Sequence, residues 1–172
     1  MKQNRTMFIT QAAFIAALYV VLTYLASIFG LASGVIQIRL SEMLCIMPVF
    51  TPAAIPGLFA GCLLSNILTG CCLIDVIFGS LATLIGAVLG YVLRNHKYLV
   101  PIPTILANAI IVPFVLIYGY GEVLPYFYLF GTVGAGEVIS AGVMGIALMI
   151  ALSRIPFFRD GMKGNAKTAG VA

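Results

Sequence analysis

Apolar residues fill this chain in long blocks, interrupted only by Gly, Pro and a few charges, and most of the blocks approach the ~20 residues that span a bilayer as a helix. The first block, roughly Met7 to Phe29, is long enough to cross and lacks a small-residue cleavage site followed by polar sequence, so it reads as a helix rather than a removable leader. Breaks farther along predict helices over about 6–29, 40–50, 52–69, 73–94, 98–119 and 124–153. A link with Gly30, Ser33 and Gly34 separates the first two, and Thr51 with Pro52 reads as an N-cap and first-turn proline. The expected organisation is one membrane domain, 1–156, followed by a basic, Gly-rich tail, 157–172, read as disordered.

Pro48, Pro52 and Pro56 leave open whether residues 40–69 make one helix or two, and charge placement decides between these. Eight of the nine Lys and Arg fall in three places: Lys2 and Arg5; Arg94 and Lys97; and Arg154, Arg159, Lys163 and Lys167. With six helices and the N-terminus inside, all three clusters are cytoplasmic, as the positive-inside rule requires; with five they are split. Six helices then place Arg39, Glu42, Asp75 and Glu122 at the outer face, where acids outnumber bases and the mouth is net negative.

Composition agrees with lipid as the solvent. The chain is 62% hydrophobic and 8% charged, with mean hydropathy +1.15, against roughly 25% charged residues in soluble domains. The net charge of +4 sits at helix flanks rather than on a stripe, which argues orientation and excludes a nucleic-acid partner. Cys45, Cys62, Cys71 and Cys72 lie in apolar surroundings without the spacing of a zinc site and read as small buried hydrophobes. His96, between Arg94 and Lys97, reads as a solvated flank. No stretch fits the phosphate-binding G-x-x-x-x-G-K-[ST] pattern, and no nucleophile is paired with a base. The chain is therefore expected to be neither an enzyme nor a holder of a metal or cofactor.

The polar residues inside the helices carry the candidate chemistry. Glu137 lies twelve positions after Pro125, about 18 Å down the last helix at 1.5 Å per residue. A carboxylate at that depth is costly and is a functional candidate by default. Asn108, eleven positions before Gly119 on a helix of opposite direction, reaches the same depth, so the two can meet near mid-membrane. Phe130, Gly134, Glu137 and Ala141 share a face by helical spacing, and Asn66 lies near the outer end of the third helix. Together they describe a tapered cavity open to the outside; the competing explanation is that the amides and the acid only join helices by hydrogen bonds. Tyr118, Tyr120, Tyr126, Phe127, Tyr128 and Phe130 read as an interfacial belt in which one or two rings can stack on a planar ligand. Small residues four apart let helices approach closely: Gly57/Gly61 and Gly86/Gly90 within the bundle, and Ala12/Ala16 with Ala13/Ala17 as a smooth face for a second membrane protein.

With these residues in view, the sequence resembles the substrate-binding subunits, or S components, of energy-coupling-factor (ECF) vitamin transporters, in the branch assigned to queuosine precursors. The resemblance rests on Ile38-Arg39-Leu40-Ser41-Glu42, the run from Thr51 to Leu58, the run from Asp75 to Thr83, and Asn108, and extends over about residues 5–155. It implies an all-α, six-transmembrane-helix S-component bundle that captures a vitamin-like molecule from outside, closed over by the link between the first two helices. It also implies a separate transmembrane coupling subunit, docked on Ala12, Ala13, Ala16 and Ala17, and cytoplasmic ATPases, in keeping with the missing phosphate-binding loop. A 7-deazaguanine cargo offers donors that Glu137 can accept and a carbonyl that Asn108 can donate to, while Glu42 or Asp75 can pair with an aminomethyl cation. Arg39, Asn66 and Phe130 complete the expected substrate-binding set. Three other readings stay open: an S component for a different vitamin, a standalone proton-coupled carrier relaying through Glu137, and an assembly subunit with no ligand.

Overall fold

A computed structural model describes residues 5–30 and 38–159. Within them the chain forms α1 (Arg5–Ile28), a 3₁₀ helix (Leu40–Val49), α2 (Ala54–Leu68), α3 (Leu73–Val92), α4 (Pro101–Tyr120), α5 (Tyr126–Glu137), a π-helical segment (Val138–Met144) and α6 (Gly145–Ser153). The fold is all-α. The last three elements continue one another as a rod from Tyr126 to Ser153. That rod, α1, α3 and α4 are long and apolar enough to cross a membrane. The 3₁₀ helix and α2 are apolar but shorter, and at about 2.0 and 1.5 Å per residue each reaches roughly 20 Å of a ~30 Å hydrocarbon layer.

Local chemistry explains the breaks. The α2 helix begins at Ala54, two residues later than the proline pattern predicts, because Thr51 Oγ1 accepts the Ala53 N–H at 3.2 Å and donates to Gln11 Oε1 at 2.8 Å, which holds a turn ahead of the helix. Pro56 then falls in the first turn, where its missing N–H removes no helical bond. At the far end, Gly70 takes a left-handed φ of 73° and the Cys71 N–H reaches back to the Asn66 carbonyl at 2.9 Å. Gly121 ends α4 in the same way, with φ 71°.

Small residues set the helix contacts. A Cβ added at Gly57 would stand 2.8 Å from the Ala12 carbonyl oxygen, and one at Gly61 would stand 2.7 Å from Tyr19 Cβ and 3.1 Å from Ala16 Cα. These pairings make α1 and α2 parallel neighbours. A Cβ added at Gly86 would stand 2.8 Å from Thr104 Cα, and one at Gly90 would stand 3.2 Å from the Val100 carbonyl oxygen, so α3 and α4 come together antiparallel. Without a hydrophobic drive between helices in lipid, such close backbone approach is what holds them.

The result is apolar outside and polar within. Phe14, Leu68, Phe114 and Val143 are exposed, while Glu42, Asn66, Asp75, Asn108 and Glu137 are buried. Such a distribution is stable only in lipid, and the chain is a multi-pass membrane protein. An apolar core that includes Leu44, Ile46, Phe50, Leu58 and Val100 fills the half nearer the basic flanks. Phe158, in a helical turn over 156–159, packs edge-on against Phe50 at 5.4 Å. Residues 160–172 lie outside the described residues, as do Ser33 and Gly34 of the predicted link.

Candidate functional site

The half of the bundle away from Arg5, Arg94 and Arg154 encloses a cavity of about 580 Å³. It lies where α1, α2 and α4 end and α3 and α5 begin, and its polar wall is supplied by Arg39, Asn66, Asp75 and Tyr120. Its volume falls within the roughly 300–1,000 Å³ of small-molecule sites.

Asp75 organises the wall. Placed in the first turn of α3, its carboxylate benefits from the positive end of the helix dipole. Its Oδ2 accepts from Tyr120 Oη at 2.9 Å and lies 3.9 Å from Arg39 Nη2. Asn66 Nδ2 donates at 3.3 Å to the Asp75 backbone carbonyl, fixing the end of α2 to the start of α3. Asp75 Oδ1 has no donor among the described residues and is turned toward Gly79, where a Cβ would come within 2.7 Å of it. Burial works against the charge of Arg39, but the surrounding acidic groups, Asp75 foremost, together more than offset this, so the guanidinium holds its proton more tightly than it does in water.

A second polar layer lies behind the cavity lining. Glu42 accepts from Tyr19 Oη at 2.5 Å and from the Cys45 thiol at 3.0 Å. Asn108 Nδ2 donates to Glu137 Oε1 at 3.0 Å, so the amide and the acid meet as their matched depths predict. Glu137 is one helical turn beyond Val133, which lines the cavity. Immediately after Glu137 the backbone widens into the π-helical segment, a local form frequent at functional sites.

The structure thus divides the expected set. Arg39, Asn66 and Asp75 line the cavity; Glu42, Asn108 and Glu137 do not. Glu42 is not at the mouth, as its place in the link suggests, but is fully buried, because the 3₁₀ helix dips into the bundle and carries it to Tyr19. Glu137 is consequently not the one ionisable group deep in the helices. Phe130 leaves the cavity face altogether, being 38% exposed beside Tyr126. Of the four alanines expected to dock a partner, Ala16 is buried and Ala12 half-buried against Gly61 and Gly57, whereas Ala13 and Ala17 face outward. Residues outside the expected substrate-binding set complete the wall: Tyr120 and Tyr128, from the cluster read as an interfacial belt, and Cys71 beside Thr69. Tyr19 carried no signal beyond being an aromatic in an apolar helix.

A multi-pass helical bundle with a polar-walled internal cavity has the form of a small-molecule transport protein. The sequence model of the family described as QueT transporter matches residues 9–154, and the chain belongs to that family. It is 40% identical over 96 residues to the queuosine precursor transporter QueT of Lactococcus lactis subsp. cremoris (strain MG1363), a match covering 56% of each chain. The match therefore spans little more than half the length of that curated relative. No solved structure matches the chain.

Proposed function

We propose that this chain is the cargo-capturing subunit of an ATP-driven ECF transporter and takes up a 7-deazaguanine precursor of queuosine, such as queuine or its aminomethyl or cyano precursor, from outside the cell. The reading is supported by membership of the QueT transporter family and by the name of the Lactococcus relative. The observation that carries it is the cavity, polar-walled and set at the end away from the basic flanks, with Asp75 held by Arg39 and Tyr120. In this reading Asp75 pairs with the cationic aminomethyl group, Asn66 and Ser41 bond the ring edge, and Tyr120 or Tyr128 stacks on it. Glu137 and Asn108 form the floor and act on the cargo from behind the lining.

The 3₁₀ helix and α2 complete a six-helix S-component bundle, with both termini in the cytoplasm by the positive-inside rule. The coupling subunit docks on the outward face of α1 at Ala13 and Ala17, and cytoplasmic ATPases supply the energy that a chain without a phosphate-binding loop cannot. Uptake of labelled precursor in cells expressing the chain tests this. Uptake is expected only with active ATPases; uptake that persists with inactivated ATPases and follows the pH gradient would instead indicate a proton-coupled carrier.

A further inference from the structure

Glu42 and Glu137 are both buried, and their hydrogen-bond inventories differ. Glu42 receives a donor on each oxygen, Tyr19 Oη on one and the Cys45 thiol on the other, which suits an ionised carboxylate that can only accept. Glu137 receives the Asn108 amide on Oε1, while its Oε2 is buried with no partner among the described residues. A buried carboxylate oxygen without a donor is strongly disfavoured, whereas a protonated one becomes a donor itself. Ser140, three residues farther on and 1% exposed, has a hydroxyl that is likewise buried and without a partner among the described residues.

The surroundings favour the same state. The titratable and charged groups around this layer are Tyr19 on α1, Arg39, Glu42 and Cys45 on and before the 3₁₀ helix, Cys62 on α2 and Asp75 on α3. Only Arg39 among them is basic, and it is paired with Asp75. The 3₁₀ helix that carries Glu42 packs against the π-helical segment that follows Glu137, and two like charges in an apolar interior do not both ionise without a counter-charge.

We infer that Glu137 is a proton-binding site coupled to the cavity, holding a proton on Oε2 and releasing it when a cationic cargo enters. This rests on the reading of the cavity as a site for a 7-deazaguanine with an ammonium group. Arg39 already offsets the charge of Asp75, so the cargo's ammonium adds a net positive charge to the cavity wall, and proton binding at Glu137, one turn beyond the cavity-lining Val133, weakens. The proton passes to solvent, the carboxylate keeps the Asn108 bond, and the cargo supplies the counter-charge. A neutral cargo of the same ring leaves the proton in place.

Calorimetry in buffers of different ionisation enthalpy, run at several pH values across the neutral range, counts the protons. The aminomethyl precursor should bind with net proton release, the uncharged cyano precursor without it, and Glu137→Gln should abolish the release. Should the variant not fold, the wild type's difference infrared spectrum decides: a protonated-carboxyl C=O band should disappear on binding the aminomethyl form. Binding with no proton exchange and no loss of that band overturns this inference and leaves the capture function standing, as does release that persists in Glu137→Gln. No binding of either compound overturns the reading of the cavity and this inference with it.

Discussion

Asn108 on α4 donates its side-chain N–H to Glu137 on α5 at 3.0 Å, so the two helices are joined by a single polar contact between buried side chains. Removing the amide leaves a buried acid with no donor on either oxygen. Asn108→Ala is expected to lower stability by about 1–3 kcal/mol, read as a drop in the detergent-solubilised melting temperature. A variant melting with the wild type would show that the contact contributes nothing.

The meeting of these two residues was legible in the sequence because both depths follow from counting along helices of opposite direction. The all-α membrane class was legible for a similar reason, since lipid forces apolar residues outward all round each helix. Glu42 was not. Counting treats each segment as an α-helix beginning at the surface, whereas the segment carrying Glu42 is a 3₁₀ helix that enters the bundle and meets Tyr19 at 2.5 Å. Ala12 and Ala16 were misread because spacing along α1 shows that a face is smooth but not which helix occupies it. Gly57 and Gly61 decide that, and they are distant in sequence.

Gly79 is expected to be intolerant of even one methyl group. A Cβ there would sit 2.7 Å from Asp75 Oδ1 and 3.3 Å from Asn66 Nδ2, forcing the carboxylate to turn. Gly79→Ala should weaken cargo binding by on the order of tenfold or more, as expected for losing a charged hydrogen bond. Gly131→Ala, where a Cβ meets nothing within 4 Å, serves as the silent control. Equal affinity in both variants would remove Asp75 from the recognition wall.

Cys71 offers a probe of occupancy. It lines the cavity and is partly exposed, whereas Cys45 and Cys62 are buried. A small thiol reagent should modify Cys71 far faster than Cys45 or Cys62, and bound cargo should protect it, as mass spectrometry of the labelled peptides would reveal. Labelling indifferent to cargo would place the ligand elsewhere.

The two faces of α1 should separate stability from coupling. Ala13→Leu with Ala17→Leu, on the outward face, is expected to leave cargo binding intact and abolish uptake in cells. Gly61→Ala, by contrast, pushes a methyl group against Tyr19 Cβ and Ala16 Cα and should lower the melting temperature of the isolated chain. Full uptake by the double leucine variant would contradict the proposed docking of a coupling subunit on this face.

The most direct test of the central claim is binding by the purified, detergent-solubilised chain with no partner present. Calorimetric titration with queuine, its aminomethyl and cyano precursors, and a panel of guanine, riboflavin, thiamine and biotin should give saturable binding of at least one 7-deazaguanine, and Asp75→Ala should lose the aminomethyl form. Binding of a different vitamin, or of none of these compounds, would contradict the assignment of the cavity.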